Sequence, residues 1–441
     1  MKRVLIITYY WPPTGGSGVQ RWLKFSRYLP EYGWEPVIYT PENPESLVTD
    51  ESLAKDILPD MEIIRRHITE PYGIYRRITG GKGISKEVNI VSASADKSPL
   101  QRLSMWARGN LFIPDPRCLW IGPSVRFLKK YMRDHSIDAV VTTGPPQSMH
   151  LIGRGLKRET GIPWIADFRD PWTEIFYFKH IPMCSKVRKK HVLLEKSVLD
   201  EADSVVAVSP LVQRDFMAKT TTPVVLITNG WDKNDFSVSG KTDSAENGKT
   251  DFPTFDIVHT GLFAADGNPE NLWKILGELC RENDGFSRKL RIRLAGKTDR
   301  QILESIRKAG LEADDLGYVP HETAIEEQLG ASVLILPLRN EPEYKAVLPG
   351  KLFEYMASGS PIIGIGATDG AMAEILKTSG CGKTFGWDAT EDLKTEILRL
   401  WDGYRLNGKT PRTDKETVMK YERGRLTGEM AGLLDKITST D

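Results

Sequence analysis

The sequence predicts an α/β fold built from two domains. Short, nearly continuous apolar runs alternate with amphipathic helical segments, a pattern typical of parallel strands joined by helices. The pattern starts again at residue 255, after a polar stretch rich in Ser, Lys, Asp and Gly. The chain of 441 residues also exceeds the length that one hydrophobic core usually serves. We therefore expect two parallel sheets, each in its own domain.

Composition argues against a polyanionic partner and against a membrane span. Lys and Arg number 60 against 59 Asp and Glu, so the charges of the whole chain nearly cancel. No run of about 18 apolar residues could cross a bilayer. The first apolar run is short and is followed at once by Tyr, Trp and Pro, which indicates a strand rather than a signal peptide. We expect a cytoplasmic protein.

The cysteines and histidines lack the spacings of common metal sites. Four cysteines are scattered without a C-x-x-C pair, and seven histidines show no H-x-x-x-H or H-x-x-E-H pattern. We expect reduced thiols and no structural zinc.

Six apolar runs predict the strands of the first domain. They cover residues 3–9, 36–40, 137–142, 163–166, 204–208 and 224–228. In open parallel sheets, ligands bind outside the carboxyl ends of the strands. We therefore expect the site residues to lie in the loops that follow these strands.

The loop after the first strand, residues 10–18, is rich in Pro and Gly. Gly15 and Gly16 allow the backbone to approach a ligand closely, and Ser17 can cap the following helix. A dinucleotide-binding fingerprint is a weak match, because Arg21 stands where its third glycine belongs. The alternative is a plain helix N-terminus without a ligand.

Two carboxylates flank an arginine in the loop after the fourth strand. Asp167 and Asp170 each have Arg169 as a cationic neighbour, and we expect Arg169 to keep a free fork for a phosphate or sugar oxygen. The alternative is a salt-bridged loop that only supports the wall of a site.

The region 65–134 is basic although the chain is not. It holds 14 Lys and Arg against five Asp and Glu, with aromatic residues such as Trp106 and Trp120 between the charges. Such a surface could lie on anionic lipid or hold a lipid-linked pyrophosphate. A solvated face with core aromatics is the alternative. Nucleic acid is disfavoured as a partner because no nucleic-acid motif accompanies the charge.

The second domain repeats the strand and helix pattern. We predict strands at 255–258, 291–294, 332–336 and 362–365, and helices at 390–401 and 416–434. A further helix should be capped by Asn268, with Pro269 at its first position. Gly261 and Lys297 follow the first two of these strands, so they should lie at neighbouring carboxyl ends.

The stretch 350–363, GKLFEYMASGSPII, is the most informative in the chain. A helix begins at the Pro349-Gly350 turn and ends at Gly359. Lys351 lies in its first turn, where free N–H groups and the positive dipole end suit a phosphate. Glu354, three residues on, shares that face, and its carboxylate can accept two hydrogen bonds from a vicinal diol such as a ribose. An ordinary amphipathic helix is the alternative.

The run 351–363 resembles the nucleotide-sugar motif of GT-B glycosyltransferases of family 4, in which this glutamate holds the ribose. The motif usually has two glutamates eight residues apart, and Ala346 occupies the first position here. Glu341 and Glu343 lie nearby, and the family has a Lys-Leu-x-Glu-Tyr-Met variant. Asn-Gly-Trp-Asp at 229–232 resembles the family's usual sign for the end of the first domain.

The resemblance implies a GT-B fold, with two Rossmann-like domains facing across a cleft. It implies an N-terminal acceptor domain at 1–236 and a linker at 237–253. The nucleotide-sugar domain follows at 254–408, and a C-terminal helix at 409–441 crosses back to the first domain.

The resemblance also implies roles for residues of the nucleotide-sugar domain. Lys297, Lys351, Gly261 and the helix turn at Leu352 would receive the donor diphosphate, and Leu262 stands where an arginine is common. The backbone of Val319 would meet the base.

In the first domain, the resemblance places Gly15 and Gly16 at the donor phosphates. Asp170 or Asp167 would act as the acceptor-side acid or base, with Arg169 as charge partner. The Asp-x-Asp triplet of metal-dependent GT-A enzymes is absent, so a metal-independent reaction is expected.

The implied activity is transfer of a sugar from a nucleotide diphosphate sugar to a glycan or lipid-linked acceptor, with retention and without a cofactor. The protein would be cytoplasmic, with possible peripheral contact at the inner face of the membrane. Two alternatives stay open. One is a GT-B epimerase or phosphorylase, and the other is a sugar-nucleotide-binding partner subunit without turnover, suggested by Ala346 and Leu262.

Overall fold

The computed structural model describes residues 1–45, 49–70, 99–237 and 254–439. The predicted linker at 237–253 lies outside the described residues except for residue 237. Part of the basic region at 65–134, residues 71–98, also lies outside them.

The chain forms two compact units. The first comprises the described residues of Met1–Thr228 and Leu426–Asp441, and the second those of Asn229–Arg425. Each unit contains a parallel sheet with helices between successive strands. The predicted α/β class is therefore confirmed.

The first unit contains a seven-stranded parallel sheet in the order β3-β2-β1-β4-β5-β6-β7. Its strands are β1 (Lys2–Ile7), β2 (Trp34–Pro41), β3 (Glu62–Arg66), β4 (Ala139–Gly144), β5 (Trp164–Phe168), β6 (Ser204–Ala207) and β7 (Val224–Leu226). Its helices are α1 (Ser17–Tyr28), α2 (Pro99–Leu111), α3 (Cys118–Asp134), α4 (Ser148–Thr160), α5 (Ser185–Glu201) and α6 (Pro210–Lys219).

The centre of this sheet is β1, which pairs with β2 on one side and β4 on the other. The buried residues Val4–Ile7 explain why β1 is central, because both faces of a central parallel strand are covered. The strand order reverses at β1, and such a switch point leaves a crevice at the carboxyl ends of the strands.

The second unit contains a six-stranded parallel sheet in the order β10-β9-β8-β11-β12-β13. Its strands are β8 (Phe255–Thr260), β9 (Leu290–Ala295), β10 (Asp314–Gly317), β11 (Val333–Pro337), β12 (Ile362–Ile365) and β13 (Gly382–Phe385). Its helices are α7 (Lys233–Ser237), α8 (Glu270–Glu282), α9 (Asp284–Lys289), α10 (Arg300–Lys308), α11 (His321–Gly330), α12 (Lys351–Ser358), α13 (Ala371–Ser379), α14 (Glu391–Asn407) and α15 (Lys415–Val418).

Helix α12 has the predicted bounds, and its C-cap residue Gly359 has φ 79°. That left-handed conformation favours glycine, which explains where the helix ends. The strand order of this sheet reverses at β8, so the carboxyl ends of β8 and β11 flank its switch point.

The last helix, α16 (Arg423–Thr438), returns the chain to the first unit. Its residues Leu426, Met430 and Leu434 are buried in the same core as Val4 and Ile6. The single helix predicted at 416–434 is wrong, because residues 419–422 interrupt it. There the chain pairs with Trp231, which donates its N–H to the Tyr421 carbonyl and accepts from the N–H of Arg423.

Three strands were not predicted. β3, β10 and β13 lie at the edges of their sheets and are only partly buried, so they lack the continuous apolar runs of central strands. The cap predicted for Asn268 is also wrong. Helix α8 begins at Glu270, and the Asn268 side chain instead bonds Ser305 and the indole N–H of Trp273.

Within the described part of the chain, no helix combines the length and the apolar character that crossing a bilayer requires.

Gly277 of α8 tests the packing of the second unit. A Cβ there would lie 2.2 Å from the Ala309 carbonyl oxygen, so the backbone must shift. We expect Gly277→Ala to lower the free energy of unfolding by about 1–3 kcal/mol. Gly330→Ala is the control, because a Cβ at Gly330 meets nothing within 4 Å. Scanning calorimetry of both variants checks this, and equal melting temperatures would contradict it.

Candidate functional site

The second unit places a lysine over the carboxyl end of β8. Lys351 is the first residue of α12, and its Nζ donates a hydrogen bond to the Thr260 carbonyl at 2.7 Å. The same Nζ lies 3.3 Å from the Leu262 carbonyl oxygen and 3.3 Å from His259 Nε2. The ammonium is therefore held by backbone carbonyls and one imidazole.

His259 acts as an acceptor for this lysine. Its Nδ1 lies 3.0 Å from the Ile335 carbonyl oxygen, which can only accept, so Nδ1 carries the proton. Nε2 is then free of a proton and can accept from Lys351. Burial and the nearby charge of Lys351 hold the pKa of His259 well below its ordinary value, so the ring is neutral at pH 7.

Burial lowers the pKa of Lys351 to about 8, against the opposing effect of the Glu354 charge. The lysine is still mostly protonated at pH 7. Because burial disfavours the charged form, an anion beside Nζ would raise this pKa. The position therefore suits a negatively charged ligand.

Two glycines allow the loops after β8 and β9 to pack closely against each other and against this lysine. Gly261 has φ 85°, and a Cβ there would lie 3.2 Å from Lys351 Nζ. Gly296 has φ 150°, and a Cβ there would lie 2.1 Å from the Gly261 carbonyl oxygen. Any other residue at Gly296 would push the loops after β8 and β9 apart.

Lys297 follows Gly296, and its carbonyl accepts the N–H of Phe263 at 3.0 Å. Its side chain is exposed and makes no hydrogen bond or ion pair with a described residue. The structure thus joins the backbones around Gly261 and Lys297 and leaves the Lys297 ammonium in solvent.

Glu354 lies one turn after Lys351 and is bonded by two residues of α11. His321 Nε2 lies 3.3 Å from its Oε1, and Gln328 Nε2 donates to its Oε2 at 3.4 Å. Burial alone would raise the pKa of Glu354, but the contacts with His321 and Gln328 outweigh it and lower the pKa. The carboxylate is therefore ionised at neutral pH.

Thr260 joins the lysine to the carboxylate. Its hydroxyl accepts from Gln328 Nε2 at 3.1 Å, and its N–H donates to the Tyr355 hydroxyl at 2.7 Å. Its carbonyl accepts from Lys351. Thr260 thus fixes α12 through its carbonyl and its N–H, and α11 through its hydroxyl.

The helix turn departs from expectation at Leu352. Its side chain is fully buried, and its N–H donates to the Pro349 carbonyl at 3.0 Å. The next N–H, of Phe353, donates to the Gly350 carbonyl. The prediction that these N–H groups are free is wrong, because the first turn uses them internally. Leu352 offers neither its side chain nor its N–H to a ligand.

Val319 lies between β10 and α11 and is half-buried, beside the exposed Tyr318. Its predicted contact with the base stays a prediction.

Sequence reasoning missed His259, Gln328 and the bonding role of His321. His321 and Gln328 are seven residues apart in α11, two helical turns, which places them on one face. This seven-residue spacing is the feature of the sequence that could have predicted that the two side chains act together.

In the first unit, Asp167 is fully buried and saturated with hydrogen bonds. It accepts from Arg21 Nη2 at 2.8 Å, from Trp22 Nε1 at 2.7 Å and from the Thr143 hydroxyl at 2.9 Å. Burial alone would raise the pKa of Asp167, but the charge and bonds of Arg21 outweigh it and lower the pKa.

Arg21, rather than Arg169, is the charge partner of Asp167. Arg21 is itself buried and also donates to the Ile227 and Thr228 carbonyls, at 2.9 and 2.7 Å. The pair therefore ties α1 to β5 and to the end of β7. Asp167 has a structural role, and the expectation that it acts as acid or base is withdrawn.

The free fork predicted for Arg169 is wrong. Its Nη1 donates to the Gly18 carbonyl and its Nη2 to the Pro145 carbonyl. The guanidinium also lies 5.6 Å from the centre of the Tyr10 ring. Arg169 thus links the start of α1 to the loop that follows β4.

Asp170 stays the candidate acid or base. It is half-buried, and its carboxylate accepts no hydrogen bond from a described residue. Burial raises its pKa to about 6, although the charge of Arg169 opposes the shift. Glu195 of α5 fixes the chain just beyond it by accepting the N–H groups of Trp172 and Thr173.

Gly15 and Gly16 immediately precede α1. Gly16 has φ 94° and an open surrounding, with no atom within 4 Å of a Cβ placed there. The conformation requires glycine, and the space beside it is accessible. A ligand contact at either residue stays a prediction.

Solved structures share the fold of the whole chain. Sucrose-phosphate synthase from Thermosynechococcus elongatus is similar over 99% of both chains, with TM-score 0.63 and 14% identity. HepE from Anabaena, in complex with UDP-glucose, is similar over 99% of this chain and 100% of its own, with TM-score 0.58 and 14% identity. The fold is GT-B. WaaG, a glycosyltransferase involved in lipopolysaccharide biosynthesis, gives TM-score 0.53 and 11% identity over 99% and 100% of the two chains.

Residues 254–403 match the family model described as glycosyl transferases group 1. The matched range lies in the second unit and contains the Lys351–Glu354 site. Among curated proteins, no sequence matches this chain.

The buried Asp167–Arg21 pair allows a test of whether Asp167 stabilises the fold of the first unit. Asp167→Asn leaves Arg21 charged and buried without a counter-charge, so we expect a loss of about 3–5 kcal/mol in stability. Asp170→Asn is the matched control and should leave the melting temperature nearly unchanged, because Asp170 accepts no bond from a described residue. Thermal unfolding measures both. An Asp167→Asn protein with wild-type stability would contradict the structural role.

Proposed function

We propose that this protein is a retaining glycosyltransferase of family 4 that moves a hexose from a nucleotide diphosphate sugar to an acceptor. The observation that carries the proposal is the pairing of Lys351 with Glu354 on one turn of α12, at the switch point of a domain that matches group 1 glycosyltransferases. HepE, which shares the fold and was solved in complex with UDP-glucose, supports a nucleotide-sugar donor.

The geometry suggests how the donor binds. The diphosphate lies against Lys351 Nζ and the glycine backbone at Gly261, and the flexible, exposed Lys297 closes on it. The ribose hydroxyls bond the Glu354 carboxylate. During transfer, negative charge grows on the departing diphosphate, and preorganised cations stabilise that charge. Val319 meets the base through its backbone.

In the first unit, Asp170 acts on the acceptor. Its ionised carboxylate orients the attacking hydroxyl or takes its proton, while Arg169 and Glu195 hold the surrounding loops. Gly15 and Gly16 leave room for the donor phosphates. We propose that no metal or cofactor takes part and that Lys297 and Lys351 offset the phosphate charge. Within the described residues, no group of three or more His, Cys, Asp or Glu side chains forms a candidate metal site.

One observation favours a second candidate, a partner subunit that binds a sugar nucleotide without turnover. Ala346 replaces the first glutamate of the motif and ends a 3₁₀ turn, Pro342–Ala346, and Leu262 is 65% exposed where the family commonly has an arginine. No comparable observation favours an epimerase or phosphorylase.

Donor hydrolysis separates these candidates. The full chain is incubated with UDP-, GDP- and dTDP-sugars, and release of the nucleoside diphosphate is followed. We expect slow hydrolysis of one donor class, faster when a suitable acceptor is added. Binding without hydrolysis or transfer would support the partner subunit instead, and no binding to any member would contradict both.

The pH dependence of hydrolysis tests Asp170 and Lys351 together. Activity should fall as pH drops below about 6, because Asp170 gains a proton. At donor concentrations well below saturation, activity should also fall as pH rises above about 8, because Lys351 of the unliganded protein loses its charge. Lys351→Arg should move the alkaline limb to higher pH, since a guanidinium stays charged.

Lys351→Ala should lower turnover by about 10²–10³ at pH 7, because one of the cations that stabilise the departing diphosphate is lost. Unchanged turnover in Lys351→Ala would contradict the proposed role.

We also propose that the acceptor is a lipid-linked or cell-surface glycan precursor and that the first unit contacts the inner face of the membrane. Trp106 and Leu111 of α2 and Leu119 of α3 are 48%, 64% and 47% exposed. Helix α5 adds exposed Lys186, Lys189 and Lys190. Its start is fixed to α2, because Asn110 bonds the Pro182 carbonyl and the Cys184 N–H. Exposed apolar residues beside clustered lysines favour anionic lipid.

Vesicle sedimentation tests the membrane contact. The protein should bind phosphatidylglycerol vesicles at low salt and be released by high salt. Substituting Lys186, Lys189 and Lys190 with alanine should weaken binding by about 100-fold, at roughly 1 kcal/mol for each basic residue near the surface. Alanine at the exposed lysines 308, 377 and 409 of the second unit is the matched control. Equal loss in both triple variants would contradict the assigned surface.

A further inference from the structure

The clearest unassigned contact in the second unit is between His321 and Glu354. We propose that His321 is a positioning residue that fixes the Glu354 carboxylate and thereby sets selectivity for ribose over 2′-deoxyribose in the nucleotide. The inference rests on the proposed function and deepens it, because it assigns the recognition of the sugar next to the base.

The two oxygens of Glu354 are bonded from one helix face. His321 begins α11 and reaches Oε1, and Gln328, two turns later, reaches Oε2. Gln328 is buried and is itself tied to the Thr260 hydroxyl at the end of β8. The His321 side chain is 51% exposed, whereas that of Glu354 is 27% exposed. One oxygen is thus fixed from the core and the other from the surface.

This arrangement leaves acceptor capacity for a ligand. Each carboxylate oxygen can accept about two hydrogen bonds, so a single donor among the described residues leaves a further lone pair on each oxygen. The two hydroxyls of a vicinal diol can bond to both of these lone pairs at once only when the carboxylate plane is fixed. The terminal torsion of glutamate is broad, so fixing it requires partners on both oxygens.

Removing His321 therefore has a specific consequence. Gln328 would still hold Oε2, so one hydroxyl of the diol keeps its partner. Oε1 would lose its fixed direction, and the second hydroxyl would gain little. The ratio of the affinity for a ribonucleotide to that for its 2′-deoxy analogue should therefore decrease. Binding of the diphosphate to Lys351 should not change.

The test compares UDP and GDP with dUDP and dGDP by titration calorimetry at pH 7. In the wild-type protein, the preferred ribonucleotide should bind about tenfold or more tightly than its deoxy analogue, as expected for a hydrogen bond to a charged acceptor. In His321→Ala this ratio should fall below about threefold, mainly through weaker ribonucleotide binding. His321→Gln should restore part of the ratio, because its amide reaches from the same position.

Two controls exclude a general loss of the fold. Inorganic pyrophosphate, which has no ribose, should bind wild type and His321→Ala equally. Glu326→Ala alters another exposed residue of α11 and should keep the wild-type ratio.

The outcomes distinguish the inference from the proposed function. A wild-type ratio retained in His321→Ala overturns the inference and leaves the proposed function standing. A wild-type protein that binds nucleotides without any ribose preference overturns the inference together with the ribose contact proposed for Glu354, and leaves the proposed sugar transfer standing. A protein that binds none of the four nucleotides overturns both.

Discussion

The second unit depends on the bonding of Thr260 at the end of β8. Its carbonyl holds the Lys351 ammonium, its N–H holds the Tyr355 hydroxyl and its hydroxyl holds Gln328. Lys351 and Tyr355 belong to α12, so the helix is fixed to the strand at two points one turn apart. A cation and, through Gln328, a carboxylate are thereby held at constant separation. The site is built before any ligand arrives, as electrostatic stabilisation of developing charge requires.

In the first unit, a buried ion pair likewise holds the strands and helices around the candidate site in place. Asp167 and Arg21 connect β5, α1 and the end of β7, and Arg169 connects the start of α1 with the loop after β4. Asp170, three residues after Asp167, receives no such bonds. Two carboxylates close in sequence therefore have opposite pKa shifts, one lowered by pairing with arginine and the other raised by burial. Surroundings that push the pKa values of two nearby acids apart are typical of sites that give the two acids different roles.

The sequence predicted those features that depend on local patterns. Central strands such as β1 and β12 are continuous apolar runs, and the three-residue spacing of Lys351 and Glu354 places them on one helix face. Edge strands such as β3 carry no comparable run, and they were missed. The partner of Asp167 is 146 residues away, so adjacency suggested Arg169 although the fold supplies Arg21. His321 and Gln328 were missed as partners of Glu354 for the same reason.

Hydrogen–deuterium exchange of the full chain, with and without saturating UDP or GDP, tests most directly that Thr260 and α12 form the nucleotide site. We expect slower exchange with nucleotide in the peptides that contain residues 260–262, 296–298 and 350–355. Protection absent from all three segments, while the nucleotide is shown by calorimetry to be bound, would contradict this account.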